Sequence, residues 1–138
     1  MDLIISWLVG LAAWFVLNTV GAVVVVEAAS PEQLSSFGGA VLWHGGVGFV
    51  CTLSAAVLAA LAHRAPWRLR TGRNAAAVLG GPLAAVIADA AVLAAGGSPD
   101  WGVFLVPAAL SLVGAVAGWL LVRALRRTTD ARDPAPRR

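Results

Sequence analysis

The sequence predicts an all-α membrane protein: a bundle of four transmembrane helices with both termini in the cytoplasm. Three observations carry that expectation. Apolar residues make up 59% of the 138-residue chain, against roughly 45–50% in an ordinary soluble domain. They gather into four runs, each long enough to supply the about 20 residues that cross a hydrocarbon core roughly 30 Å thick. All ten basic residues are arginines, and a four-span path places every one of them on the same side of the bilayer, the cytoplasmic side by the positive-inside rule. Charged residues are only 12% of the chain, about half the usual share, so a soluble fold of this length would leave apolar surface it could not hide.

The first span covers about residues 3–26. Met1-Asp2 offers no basic leader, and the apolar run exceeds the core of a signal peptide, so the span is expected to be retained. Ser30-Pro31-Glu32-Gln33 then reads as a helix start, with a serine cap, proline in the first turn and glutamine at the capping-box position. It predicts a short interfacial turn that breaks at Phe37-Gly38-Gly39, before a second span over about residues 39–62. A third span covers about 74–95. Ser98-Pro99-Asp100 is another capped start, leading into a fourth span over about 101–125. The membrane domain thus occupies about residues 1–127. The remaining stretch, 128–138, mixes Asp130, Asp133, Pro134 and Pro136 with arginines and is expected to be a basic, disordered cytoplasmic tail.

Charge placement sets the orientation and the compartment. Arg64, Arg68, Arg70 and Arg73 lie between spans two and three; Arg123, Arg126, Arg127, Arg132, Arg137 and Arg138 follow span four. The other two connections carry only Glu32 and Asp100. The expected location is the cell (inner) membrane, multi-pass, with the bilayer itself as the first partner. Nucleic acid is not an expected partner, because the arginines mark the ends of apolar runs instead of forming a basic face.

Composition also removes several chemistries and specifies no cofactor. The chain has no lysine, so no Schiff base can form on a lysine side chain. One cysteine, Cys51, excludes an internal disulfide, a redox pair and a cysteine-based zinc site; its expected role is packing. The sequence contains no phosphate-binding loop and no hydrolase or zinc-protease motif.

Helix association in lipid relies on close backbone approach, so small residues mark contact faces. Gly48, Thr52, Ala56 and Ala60 form one such stripe, Ala77, Gly81 and Ala85 a second, and Gly114 with Gly118 a third. One of these faces is a candidate for self-association, which makes a homo-oligomer or a partner membrane subunit an expected partner. Pro82 and Pro107 each remove a hydrogen bond inside a span. Trp7, Trp43 and Trp101 fall near the predicted interfaces, where tryptophan anchors a span.

The candidate site comes from polar residues at membrane depth, where an ionisable group requires a partner, water or a function. Asp89 lies about six residues, roughly 9 Å, inside the outer end of span three and continues the Ala77-Gly81-Ala85 stripe. His44 lies at a similar depth in span two, four residues before Gly48. The two are expected to meet, either as an interhelical hydrogen bond or as an outward-facing polar pocket with Glu27 at its rim. Gly45, Gly46 and Gly48 would let a backbone or a ligand come close. Asn18, in the middle of span one, is expected to hydrogen-bond between helices, with ligand contact as the other role. Trp14, Phe15, Trp43 and Trp119 are candidates for an apolar wall. A metal site is not expected, since no ligand spacing supports one.

Three functions fit these residues. An accessory or interaction subunit, or a homo-oligomer, asks least of them. A small-solute or ion transporter would exchange its cargo at Asp89. A membrane-embedded enzyme acting on an isoprenoid or quinone type of substrate would use Asp89, with Glu27, as acid and base, and His44 to orient Asp89.

Overall fold

The computed structural model describes residues 2–62, 71–97 and 101–132, and all regular structure among them is helical. Four helices are long and apolar enough to cross a membrane, over Ile4–Ala28, Phe37–Ala62, Asn74–Ala95 and Phe104–Thr128. Helix α1 spans Asp2–Ala28. A capping box starts α2, Pro31–Ser35: Ser30 Oγ accepts from Gln33 N at 3.2 Å and Ser30 N donates to Gln33 Oε1 at 3.0 Å. The chain does not break at Phe37-Gly38-Gly39. It breaks one residue earlier, at Ser36, whose backbone is extended and whose hydroxyl accepts from Gly39 N at 3.1 Å. Serine supplies the missing acceptor at a helix start, so α3, Phe37–Ala40, already belongs to the second long helix.

That helix continues through a π turn, Val41–Gly45, into α4, Gly46–Ala62. Helix α5 runs Thr71–Ala95 and α6 runs Trp101–Arg132, enclosing Pro82 and Pro107 respectively. The boundary expected after Arg127 does not coincide with a helix end, since α6 goes on for five more residues of the presumed tail. Arg64, Arg68, Arg70, Asp100, Arg137 and Arg138 lie outside the described residues.

Contacts fix the arrangement. Trp7 Nε1 donates to Ala76 O at 2.9 Å, so the starts of α1 and α5 share one end. Arg126 Nη2 donates to Ala60 O at 2.5 Å, which brings the finishes of α4 and α6 to the same end. Helices α1 and α4 are antiparallel, with Gly10 beside Ala59 and Gly21 beside Cys51. Each long helix touches at least two others, and α1 and α6 are the pair of long helices with the least contact. The guanidinium of Arg126 sits on a carbonyl of the last described turn of α4, a favourable place for a cation.

Small residues form the seams. Gly48, Thr52, Ala56 and Ala60 are all buried, as are Ala77, Gly81 and Ala85, and Gly114 and Gly118. The closest seam joins α4 to α6. A Cβ on Gly114 would stand 2.7 Å from Thr52 Oγ1, and one on Gly118 would stand 2.6 Å from Leu53 O. The Thr52 hydroxyl lies 2.7 Å from both Gly48 O and Ser111 O, so its proton can serve its own helix or tie α4 to α6. Cys51 is buried, and its thiol donates to Leu17 O at 3.3 Å. The apolar core, Ala56, Ala60, Val78, Ala115 and Val122 with Trp119 against it, fills the half of the bundle nearer the α1 start and the α6 finish.

Candidate functional site

The other half of the bundle is not filled. A cavity of about 490 Å³ opens there, and all four long helices contribute to its wall. Helix α1 supplies Trp14 and Asn18, one turn apart on the same face. The π turn supplies His44 and the start of α4 supplies Gly48. Helix α5 supplies Asp89, and α6 supplies Phe104, Pro107, Ala108 and Ser111. The α6 residues follow an i, i+3, i+4, i+7 pattern, which is a single helical stripe.

Local structure explains why the space exists. Small side chains let α4 and α6 meet at Gly48 and Ser111, where a Cβ on Gly48 would come within 2.6 Å of Ser111 Oγ. One turn earlier, Gly45 is pressed against α6: its Cβ would lie 2.5 Å from Leu110 Cδ1 and 3.7 Å from Pro107 Cα. The backbone adopts the π turn across this point. Such a turn holds one residue more than a regular one, and it changes the direction in which neighbouring side chains leave the helix. Trp43 and His44, as sequence neighbours on a helix do, face different spaces.

The structure places Asn18, His44 and Asp89 on one cavity. His44 and Asp89 are exposed to it and Asn18 is half-buried. Among the described residues no hydrogen bond or ion pair joins His44 to Asp89, so the interhelical bond expected as one of the two readings of this pair is not formed. Asn18 also departs from expectation. Its Nδ2 donates to Trp14 O at 3.0 Å, within its own helix, instead of reaching across to another. Among the described residues no three of the His, Cys, Asp and Glu side chains form a group able to hold a metal ion.

Glu27 and Trp43 are not part of this wall. Glu27 is exposed near the end of α1. Trp43 lines a separate, wholly apolar groove of about 580 Å³ between α1 and α4, beside Val20, Gly21, Val47 and Cys51. The aromatic candidates also divide: Trp14 reaches the cavity, Phe15 is exposed on the outside of the bundle, and Trp119 packs on the core with the Arg123 guanidinium 5.5 Å from its ring. Phe104 and Ser111 were not foreseen from sequence. Their helical spacing around Pro107 was the available signal, and the Gly45-Gly46 pair was the signal for the π turn.

Fold and cavity together define a chain that is helical over its described residues, with four long apolar helices that could span a membrane and that line an open cavity carrying polar side chains. No protein-family model, curated protein or solved structure matches it.

Proposed function

We propose that this chain is a multi-pass protein of the cell (inner) membrane, with both termini in the cytoplasm, that binds a small molecule in the Asn18–His44–Asp89 cavity and transports it. The observation that carries the reading is an open cavity, with four polar side chains, Asn18, His44, Asp89 and Ser111, from the four long helices on its wall and no bond between His44 and Asp89. A clasp between helices would close that space. The volume of about 490 Å³ falls in the range of roughly 300–1,000 Å³ that small-molecule sites occupy. Arginine placement supports the orientation, in which the cavity opens toward the outside.

The alternatives lose specific support. The small-residue faces that would serve an accessory subunit are taken up within the chain, since Gly114 and Gly118 pack on α4. The acid–base pair of the enzymatic reading is not assembled, since Glu27 is not on the cavity wall. A transport path through so few helices calls for a second copy or a partner subunit. The outer face of α1, with Phe15, Val16, Val20 and Val23 exposed, is the surface we assign to that contact.

Two experiments test this. Cysteines introduced at Gln33 and at Thr128 in a Cys51→Ser background are expected to differ: in intact cells an impermeant thiol reagent labels position 33 and not 128. Labelling at 128 alone would reverse the orientation. For the cavity, native mass spectrometry of protein carried from the membrane into nanodiscs is expected to show a bound small molecule. Ala108→Phe, which fills the cavity, removes that adduct, and Leu83→Phe, on the exposed side of α5, keeps it. An adduct indifferent to Ala108→Phe places the ligand elsewhere, and absence of any adduct counts against a resident ligand.

A further inference from the structure

We infer that the ligand is a lipophilic cation, held by Asp89 and the rings of Trp14 and Phe104, and that each cation bound displaces a proton from Asp89. The inference rests on the cavity being a ligand site and adds the chemical class of the ligand.

The charge inventory of the wall is the first argument. Among the described residues, the ionisable groups facing the cavity are Asp89 from α5 and His44 from the π turn. Helices α1 and α6 contribute an amide, Asn18, and a hydroxyl, Ser111, and among the described residues no arginine lines the space. Among the described residues no ion pair or hydrogen bond occupies the Asp89 carboxylate. An ionised carboxylate at that depth leaves a negative charge that only an incoming cation or a proton neutralises. An anionic ligand would meet that charge with only the His44 imidazole, and no guanidinium, among the described wall residues to offset it.

The rest of the wall is the second argument. Beside Trp14 and Phe104 stand Val86, Val92 and Leu93. The faces of aromatic rings attract a cation, more strongly as water is excluded, and the aliphatic side chains accept an apolar body. A strongly hydrated ion would find too few oxygen ligands here to replace its water. A cation whose charge is wrapped in hydrocarbon loses little on entering.

The exchange balances without a further reactant. Protonated Asp89 plus the cation gives the carboxylate–cation pair plus one proton released to water; no covalent bond to carbon changes. Binding therefore weakens as pH falls, because the proton competes for the same oxygens. Imidazole protonation on His44 would repel a cation in the same direction, so the two groups have to be separated by substitution.

The test uses the full chain in phosphatidylcholine nanodiscs, with protein-free nanodiscs as reference. Tetraphenylphosphonium and tetraphenylborate are matched in shape and opposite in charge, and triphenylphosphine oxide is a neutral relative. Equilibrium dialysis is expected to show saturable phosphonium binding, sensitive to Ala108→Phe, that is about tenfold or more tighter at pH 8 than at pH 5. Asp89→Asn abolishes the pH dependence and weakens binding by a similar factor, Asp89→Glu restores both, and His44→Gln leaves the pH dependence in place. Loss of the pH dependence in His44→Gln, or wild-type phosphonium binding by a folded Asp89→Asn, overturns proton exchange at Asp89. Tetraphenylborate or the neutral oxide binding as tightly to the site that Ala108→Phe blocks overturns the cation assignment and leaves the cavity reading standing. If none of the three binds in a way that Ala108→Phe removes, both fall.

Discussion

Gly118→Leu is expected to destroy the α4–α6 seam and with it the folded bundle. Even a bare Cβ at position 118 would lie 2.6 Å from Leu53 O and 3.0 Å from Ala56 Cβ. Both neighbours are rigid: one is helix backbone and the other a methyl carbon on a fully buried residue. Ordinary overpacking costs about 1–3 kcal/mol because side chains can shift. Here two helix axes have to separate, which also breaks the approach of Gly114 to Thr52 and of Thr52 to Ser111. A loss of about 3 kcal/mol or more follows, lowering the melting temperature in detergent by on the order of 10 °C. Gly46→Leu is the matched control. It makes the same chemical change on the same seam's partner helix, where a Cβ meets nothing within 4 Å, and it should not lower stability, since leucine is favoured over glycine in a helix by up to about 1 kcal/mol. Equal effects of the two substitutions would show that the seam does not hold the fold.

The second large effect belongs to Asp89 and His44, and it separates binding from stability. Asp89→Asn keeps size and removes charge; His44→Ala removes the imidazole. Because no hydrogen bond or ion pair joins the two groups, each single change should alter unfolding by less than about 0.5 kcal/mol, with the double mutant equal to the sum. Ligand binding should respond differently. Asp89→Asn is expected to weaken phosphonium binding about tenfold, or about 1.4 kcal/mol, whereas His44→Ala, which removes a group that repels the cation when protonated, should not weaken it. A coupling of about 1 kcal/mol in stability would mean that the groups are bonded to each other in the membrane, and the cavity reading would give way to a structural clasp.

Much of the candidate site was legible before any coordinates, for a definite reason. A polar residue in an apolar helix is conspicuous, and helical spacing from the small-residue stripes assigns it a face. That logic put His44 and Asp89 at one depth and toward one another, and both line the same cavity. It failed where a sequence neighbour points elsewhere or a side chain found a nearer partner. Trp43 leaves its helix about 100° away from His44 and lines the separate apolar groove. Asn18 satisfies itself on Trp14 O one turn back, because a carbonyl in its own helix costs no separate approach.

By itself the sequence determined four long apolar helices, the capping box at Ser30 and the small faces on which the helices meet. These are local matters: chain length against hydrocarbon thickness, hydrogen bonds satisfied within a turn, and the volume of a glycine or alanine side chain. Which faces met was decided only by the tertiary structure. The same stripes could have served contacts between copies, and instead Gly114 and Gly118 close on α4 of their own chain while α1 and α6 make the least contact. The cavity is likewise a property of the packed bundle. Its wall draws on four helices, and Trp14, His44, Asp89 and Phe104 meet around it only once those helices are packed.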